Sequence, residues 1–137
     1  MEIKVDKDGI FVNQPRYTEK ILRRMKLEQC NPASTPIEQG MITKKTDFKN
    51  DEALPAKNNY REVIGSLLYL ATISRPDISF AVNYLSRFCN NPMKSHQAMV
   101  KHVFQYLRGT VTAGIYFGGG KELVAYTDSD FGGDPET

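Results

Sequence analysis

The sequence predicts an α+β fold, in the order β-hairpin, helix, linker, three-helix bundle and C-terminal β-hairpin. Two patterns support this prediction. Apolar and polar residues alternate near both ends of the chain, as in half-buried strands, whereas residues 60–110 repeat apolar side chains every three or four positions, as in amphipathic helices. The segment 31–59 is poor in apolar residues and rich in Pro, Lys and Asn, which favours a linker.

The N-terminal region, residues 1–30, is predicted to form the hairpin and the first helix. In "EIKVDKDGIFVNQ" apolar residues alternate on both sides of Asp8-Gly9, a dipeptide typical of tight hairpin turns. Pro15 suits the first turn of the helix, where its missing N–H leaves no hydrogen bond unmade. The apolar stripe of this helix consists of Tyr17, Ile21, Leu22 and Met25.

Residues 60–110 are predicted to form three short-linked helices. "YREVIGSLLYLATI" is apolar on nearly all sides, as in a buried helix. In "SRPDISFAVNYLSRF", Pro76 suits a first turn and the Asp77 carboxylate favours the positive end of the helix dipole. "SHQAMVKHVFQYLRGT" forms the third helix and stops at Gly109. Amphipathic helices joined in this way favour a small bundle.

The C-terminal region, residues 111–137, is predicted to contain two strands joined by glycines, the second running into Asp128. Asp128, Asp130 and Asp134 lie within a short stretch and could suggest a metal site. Two-metal chemistry needs several carboxylates that converge, however, and Asp128 with Asp130 cannot supply that set alone. We therefore expect Asp130 and Asp134 to face solvent or the turn.

The net charge of +2 is unevenly distributed. No acidic residue occurs between Asp77 and Glu122, a stretch that contains Lys94, Lys101 and Arg108. These three recur every seven residues, so they drift by only about 20° per step and form one stripe along the third helix. Such a stripe favours a polyanionic partner, and a solvated helix face is the alternative.

Other features exclude several classes of protein. Cys30 and Cys89 fit no metal or redox spacing and are expected to be reduced thiols. No apolar run reaches the length of a membrane span, and the charged N-terminus lacks a signal core, so no membrane association is expected.

Three segments carry a resemblance to a known family: "YREVIGSLLYLATISRPDISFAVNYLSRF", "HQAMVKHVFQYLRGT" and "LVAYTDSDFGGD". Together, and in this order, they resemble the Pol polyprotein of copia-type LTR retrotransposons. "EIKVDKDGIFVNQPRYTEKIL" is similar to the segment that follows the polymerase palm in those elements. The resemblance implies that 1–30 is the end of the palm and the entry to the thumb, 31–59 a linker, 60–110 a thumb-like or connection bundle, and 111–137 an incomplete RNase H start.

The resemblance also implies site residues. Asp128 matches the first carboxylate of the RNase H metal site, and the other ligands of that site are expected outside this segment. The polymerase motif is also expected outside it. We therefore expect no catalysis and no cofactor here, although the complete family enzyme uses Mg²⁺. The family's duplex-tracking helix suggests contacts from Arg61, Gly65 and Tyr69, which share one helix face. Close helix packing at Gly65 is the alternative.

Two functions remain open at this stage. The first is a non-catalytic piece of a retrotransposon reverse transcriptase and RNase H that retains weak, non-specific binding to an RNA–DNA or DNA duplex inside the cell. The second is an interaction protein with a host protein partner, since similar chains occur among secreted RxLR-type effectors that act on host immunity. No Arg-x-Leu-Arg tetrapeptide is present. An active nuclease or polymerase piece ranks last.

Overall fold

The computed structural model describes residues 1–38, 40–42, 51–119 and 125–127. Its class is α+β, which confirms the prediction. The elements are β1 (Glu2–Val5), β2 (Gly9–Asn13), α1 (Pro15–Arg24), α2 (Tyr60–Ile73), a 3-10 turn (Pro76–Ile78), α3 (Ser79–Ser86), α4 (Lys94–Gly109) and β3 (Gly114–Gly118).

The three strands form one antiparallel sheet in the order β1-β2-β3. In the turn between β1 and β2, the Asp6 carboxylate accepts hydrogen bonds from the backbone N–H groups of Asp8 (2.9 Å) and Gly9 (2.8 Å). A side chain at Gly9 would meet the carbonyl oxygen of Phe117 at 2.4 Å, so the close approach of β2 and β3 requires glycine there.

The pairing of β3 was not foreseen from the sequence. The sequence predicts a C-terminal hairpin, whereas β3 pairs along its whole length with β2, from Gly9↔Gly118 to Asn13↔Gly114. Most of the predicted second strand, together with Asp128, lies outside the described residues, and residues 125–127 have no regular secondary structure. The two ends of the described chain therefore share one sheet.

The four α-helices of the described residues share one core. α1 extends the predicted three-helix bundle, because it adds Ile21 and Leu22 to the apolar cluster formed by α2, α3 and α4. Burial of these side chains removes apolar surface from water and is the main force that holds the helices together. The most deeply buried members are Leu67, Leu70, Ile78, Val82, Leu85 and Leu107.

The described parts of the linker lie against α4. The N–H of Ala33 donates to the carbonyl of Gln105 (3.2 Å), and the N–H of Leu54 donates to the carbonyl of Pro92 (2.8 Å). The ring of His102 donates to the carbonyl of Thr35 (2.9 Å). These described parts of the linker are therefore held by hydrogen bonds to the bundle region and contain none of the named helices or strands.

A buried arginine connects two of the segments that carry the family resemblance. Arg75 is 1% exposed, and its guanidinium donates to Asp77 (2.7 Å) and to the carbonyl and hydroxyl oxygens of Thr110 (2.7 and 2.6 Å). Tyr106 donates to Asp77 (2.8 Å). The carboxylate of Asp77 lies in a first turn, as predicted, but its main contact is with Arg75.

Candidate nucleic-acid interface

The predicted duplex-tracking residues share the outward face of α2. Arg61, Gly65 and Tyr69 are all exposed, while Val63 and Leu67 point into the core. A side chain at Gly65 would meet nothing within 4 Å among the described residues. Close packing against one of the described helices therefore does not explain this glycine, and among the described residues its backbone is open.

Neighbouring side chains hold this face in place. The ring of Tyr69, which is 50% exposed, meets Tyr17 of α1 edge to face at a centroid distance of 5.1 Å. The guanidinium of Arg61 donates to the side chain of Asn90 at 2.7 Å. The face thus presents an anchored aromatic ring and an anchored cation on either side of bare helix backbone.

The predicted basic stripe lies on the exposed face of α4, but its charges are partly used within the chain. Lys94, Lys101 and Arg108 are all exposed. The ammonium of Lys94 lies 2.5 Å from the carboxylate of Glu52, and Arg108 donates to the carbonyl of Glu28 at 2.6 Å. Within the described part of the chain, Lys101 makes no ion pair. The stripe therefore offers fewer free cations than its sequence suggests.

The structure does not join these two surfaces directly. α2 and α4 both turn their apolar faces to the same core, so their exposed faces point in different directions. α1 lies between them. Its Tyr17 contacts Tyr69 of α2, and its C-terminal end lies beside α4 along a shallow groove of about 390 Å³ lined by Met25, Leu27, Ala98 and Lys101, among others.

The exposed side of α1 carries cations that the sequence analysis overlooked. Arg16 pairs with Glu2 and Arg24 pairs with Glu62, both at the surface. Lys20 and Arg23 of α1, and Lys26 just past its C-terminal end, are exposed and make no ion pair among the described residues. We call these three the α1 basic face. The run "EKILRRMK" could have indicated this basic face. It has another explanation, because basic residues near a helix C-terminus also stabilise the helix dipole.

No metal site is visible in the described residues: they contain no group of three His, Cys, Asp or Glu side chains that could hold an ion. Asp128, Asp130 and Asp134 lie outside them. None of the described helices is long and apolar enough to span a membrane.

Comparison with known proteins identifies relatives of the whole chain. It is 36% identical over 129 residues to the retrovirus-related Pol polyprotein from the tobacco transposon TNT 1-94, covering 91% of this chain and 10% of that protein. It is 36% identical over 138 residues to the corresponding polyprotein from the Arabidopsis thaliana transposon RE2, covering 99% of this chain and 9% of that protein. The resemblance to copia-type Pol polyproteins is confirmed. The chain spans about a tenth of these curated relatives.

A shorter relative belongs to a different class. The secreted RxLR effector protein 161 of Plasmopara viticola is 39% identical over 80 residues, which cover 57% of this chain and 56% of the effector. No family model matches the chain, and no solved structure matches it.

Proposed function

We propose that the chain is a non-catalytic segment of a retrotransposon Pol polyprotein that contacts the backbone of a template–primer duplex. The observation that carries this proposal is the exposed glycine on α2, because a mid-helix glycine costs about 1 kcal/mol relative to alanine and packs against nothing in the described chain. A ligand that approaches the helix backbone at this position explains why glycine is present there.

The α2 face has the chemistry that a duplex backbone needs. Without a side chain at Gly65, a sugar or phosphate can come close to the helix backbone. Arg61 can donate to a phosphate oxygen, and the exposed edge of Tyr69 can lie against a sugar. None of these groups reads base edges by itself, so the binding is weak and independent of sequence.

Two further cationic groups extend the interface. The α1 basic face lies next to the α2 face across the Tyr17–Tyr69 contact, and Lys101 follows beyond the α1–α4 groove. Each phosphate contact releases counterions and steepens the dependence of affinity on salt by about 0.9 per contact. Three or four contacts give a log–log slope near −3 and an affinity on the order of 10⁻⁴ to 10⁻⁶ M.

Catalysis belongs to other parts of the polyprotein in this proposal. Asp128 supplies one carboxylate to an RNase H site whose remaining ligands lie elsewhere, and Mg²⁺ binds only in the complete enzyme. The chain acts inside the cell, where the template–primer duplex is formed.

A titration of the purified chain with a labelled RNA–DNA hybrid at several salt concentrations tests the proposal. We expect Lys20→Ala/Arg23→Ala to reduce the salt slope by about two units, equally on unrelated sequences. Lys4→Ala/Lys7→Ala removes the same charge from the exposed hairpin and should leave the slope nearly unchanged. Absence of binding at low salt, or equal loss in both double variants, contradicts the proposal.

The effector relative supports a second candidate, an interaction protein that binds a host protein, because the match covers more than half of each chain. In that case the hybrid titration shows no binding, while substitutions on the α2 face leave the interaction with the host protein intact.

A further inference from the structure

Two acidic side chains of the linker lie on the N-terminal end of α4. The carboxylate of Glu52 lies 2.5 Å from the ammonium of Lys94, and the two carboxylate oxygens of Asp51 lie 3.4 and 3.3 Å from the backbone nitrogen of Ser95. We call Asp51 and Glu52 the acidic pair. The pair therefore faces the first cation of the basic stripe on α4 and an N–H group in the first turn of that helix.

Backbone contacts hold the acidic pair in this position. The N–H of Lys94 donates to the carbonyl of Glu52 at 2.8 Å, and the next residue, Ala53, forms a β-bridge with Met93. The acidic side chains are thus placed by the backbone and do not depend on the ion pair itself. The side chains of Lys94 and Glu52 are both more than half exposed. An exposed ion pair contributes little to stability, so its separation costs the fold little.

Lys94 borders the proposed duplex interface. Together with Lys101 it lines the shallow groove between α4 and the C-terminal end of α1. Seven residues separate the two lysines, which places them about 10 Å apart along one side of the helix. A duplex backbone that contacts Lys101 and the α1 basic face therefore comes within reach of Lys94 as well. In the folded chain, however, the ammonium of Lys94 pairs with Glu52.

We propose that the acidic pair is an internal competitor for polyanions, which keeps Lys94 out of the duplex interface and lowers the affinity of that interface. A carboxylate and a phosphate bind to an ammonium or a backbone N–H through the same charge-assisted hydrogen bonds, so they compete for the same groups. This inference rests on the proposed function and adds its regulation, because Lys94 contacts a phosphate only where that phosphate displaces Glu52.

Removal of one charge from the acidic pair tests the proposal. Glu52→Gln keeps the size of the side chain and the backbone contacts, and it frees Lys94. In the titration with the RNA–DNA hybrid, affinity at low salt should rise by about fivefold to tenfold and the log–log salt slope should steepen by about one unit, because one more phosphate contact releases counterions. The matched control is Asp8→Asn, which removes the same charge from the exposed turn of the hairpin and should leave the slope nearly unchanged.

A second comparison separates competition at Lys94 from general repulsion of the duplex. In chains that carry Lys94→Ala, the additional change Glu52→Gln should leave the slope unchanged, because the cation that it would free is absent. Circular dichroism checks that all variants are folded. Equal gains from Glu52→Gln and Asp8→Asn, a gain that persists in the Lys94→Ala chain, or no gain at all overturns the proposal.

Failure of the proposed function gives a different pattern. In that case Lys20→Ala/Arg23→Ala leaves the slope of the wild-type chain unchanged, whereas Glu52→Gln still steepens it. If the acidic pair is not a competitor, the same double variant lowers the slope as expected, and Glu52→Gln has no effect.

Discussion

The helical bundle buries its apolar residues, whereas the sheet leaves several of its apolar residues exposed. In the bundle, Leu67, Leu70 and Val82 are 0% exposed, whereas in the sheet Val5 is 75% and Phe117 56% exposed. The strands satisfy their backbone hydrogen bonds through pairing, so the sheet can form without burying one of its faces. The bundle is therefore the region that stabilises itself, and the sheet is the region whose apolar side chains stay exposed among the described residues.

The two regions are connected by a few polar contacts. The side chain of Asn13 donates to the carbonyl of Thr112 (3.0 Å), and the hydroxyl of Ser74 donates to the buried side chain of Gln14 (2.9 Å). The first bond holds the end of β2 to the loop between α4 and β3, and the second holds the β2–α1 junction to the residue that follows α2, while the far end of β1 and β2 is exposed. Substitutions in the two regions should consequently differ in their effect on stability.

The largest expected effect is in the core of the bundle. Leu67→Ala should lower the free energy of unfolding by about 3 kcal/mol, because it removes a fully buried side chain and leaves a cavity. Val5→Ala at the exposed sheet face should change it by about 0.5 kcal/mol or less. Urea unfolding followed by circular dichroism measures both. Similar losses in the two variants would remove the contrast between the regions.

The next effect concerns the buried arginine of the bundle. Asp77→Ala should lower the free energy of unfolding by about 2–3 kcal/mol, because it removes the carboxylate that pairs with the buried guanidinium of Arg75, which keeps its hydrogen bonds to Thr110 and its contact with the Tyr106 ring. The loss is below that of a fully buried pair, since the Asp77 side chain is 37% exposed. Glu62→Ala breaks the exposed pair with Arg24 and is the control, with an expected loss of about 0.5 kcal/mol. An equal loss in both variants would refute a special role for Arg75.

The same pair predicts a dependence on pH. Burial opposes ionisation of Asp77, but hydrogen bonds from Arg75 and Tyr106 outweigh it and hold the pKa of Asp77 below its ordinary value. A lowered folded-state pKa contributes stability that is complete above the unfolded-state pKa and is lost as pH falls through the folded-state pKa. The difference in unfolding free energy between wild type and Asp77→Asn should therefore be largest above about pH 4, near the ordinary pKa of an aspartate, and should shrink as the pH falls below it. A difference that is constant with pH would contradict this assignment.

Local patterns explain how far the sequence predicted the fold. The alternation in β1 and β2 and the periodicity of α2 and α4 depend on near neighbours, and these elements occur where they were expected. The pairing of β3 with β2 and the contact of Arg75 with Thr110, 35 residues apart, depend on how distant segments meet. No local pattern encodes those contacts.

For the candidate site too, local sequence patterns predicted which residues share a helix face but not their contacts with the rest of the chain. Spacing placed Arg61, Gly65 and Tyr69 on one face of α2. Only the packed structure shows that this face is outward and that a side chain at Gly65 would meet no described residue within 4 Å. Spacing also predicted the stripe on α4 without revealing that Lys94 pairs with Glu52. The α1 basic face was missed because its cations alternate with buried apolar residues in a short helix and lie outside the acid-free stretch. The roles of all these residues in binding stay predictions.

The smallest expected effect is that of Gly65→Ala, which should increase stability while weakening duplex binding. These opposite changes test the role of the glycine on α2. Gly65→Ala should raise the free energy of unfolding by about 0.5–1 kcal/mol, because alanine favours the helix and its methyl group enters open space. Gly65→Leu should also leave the chain folded, yet both variants should weaken binding of an RNA–DNA hybrid, the leucine more than the alanine, because the added atoms lie where the duplex backbone approaches. Urea unfolding and the hybrid titration on the same samples give the two readouts. A bundle that is destabilised by the alanine would mean that an unseen neighbour packs on Gly65, and hybrid binding that is equal in all three chains would mean that the duplex does not approach this face.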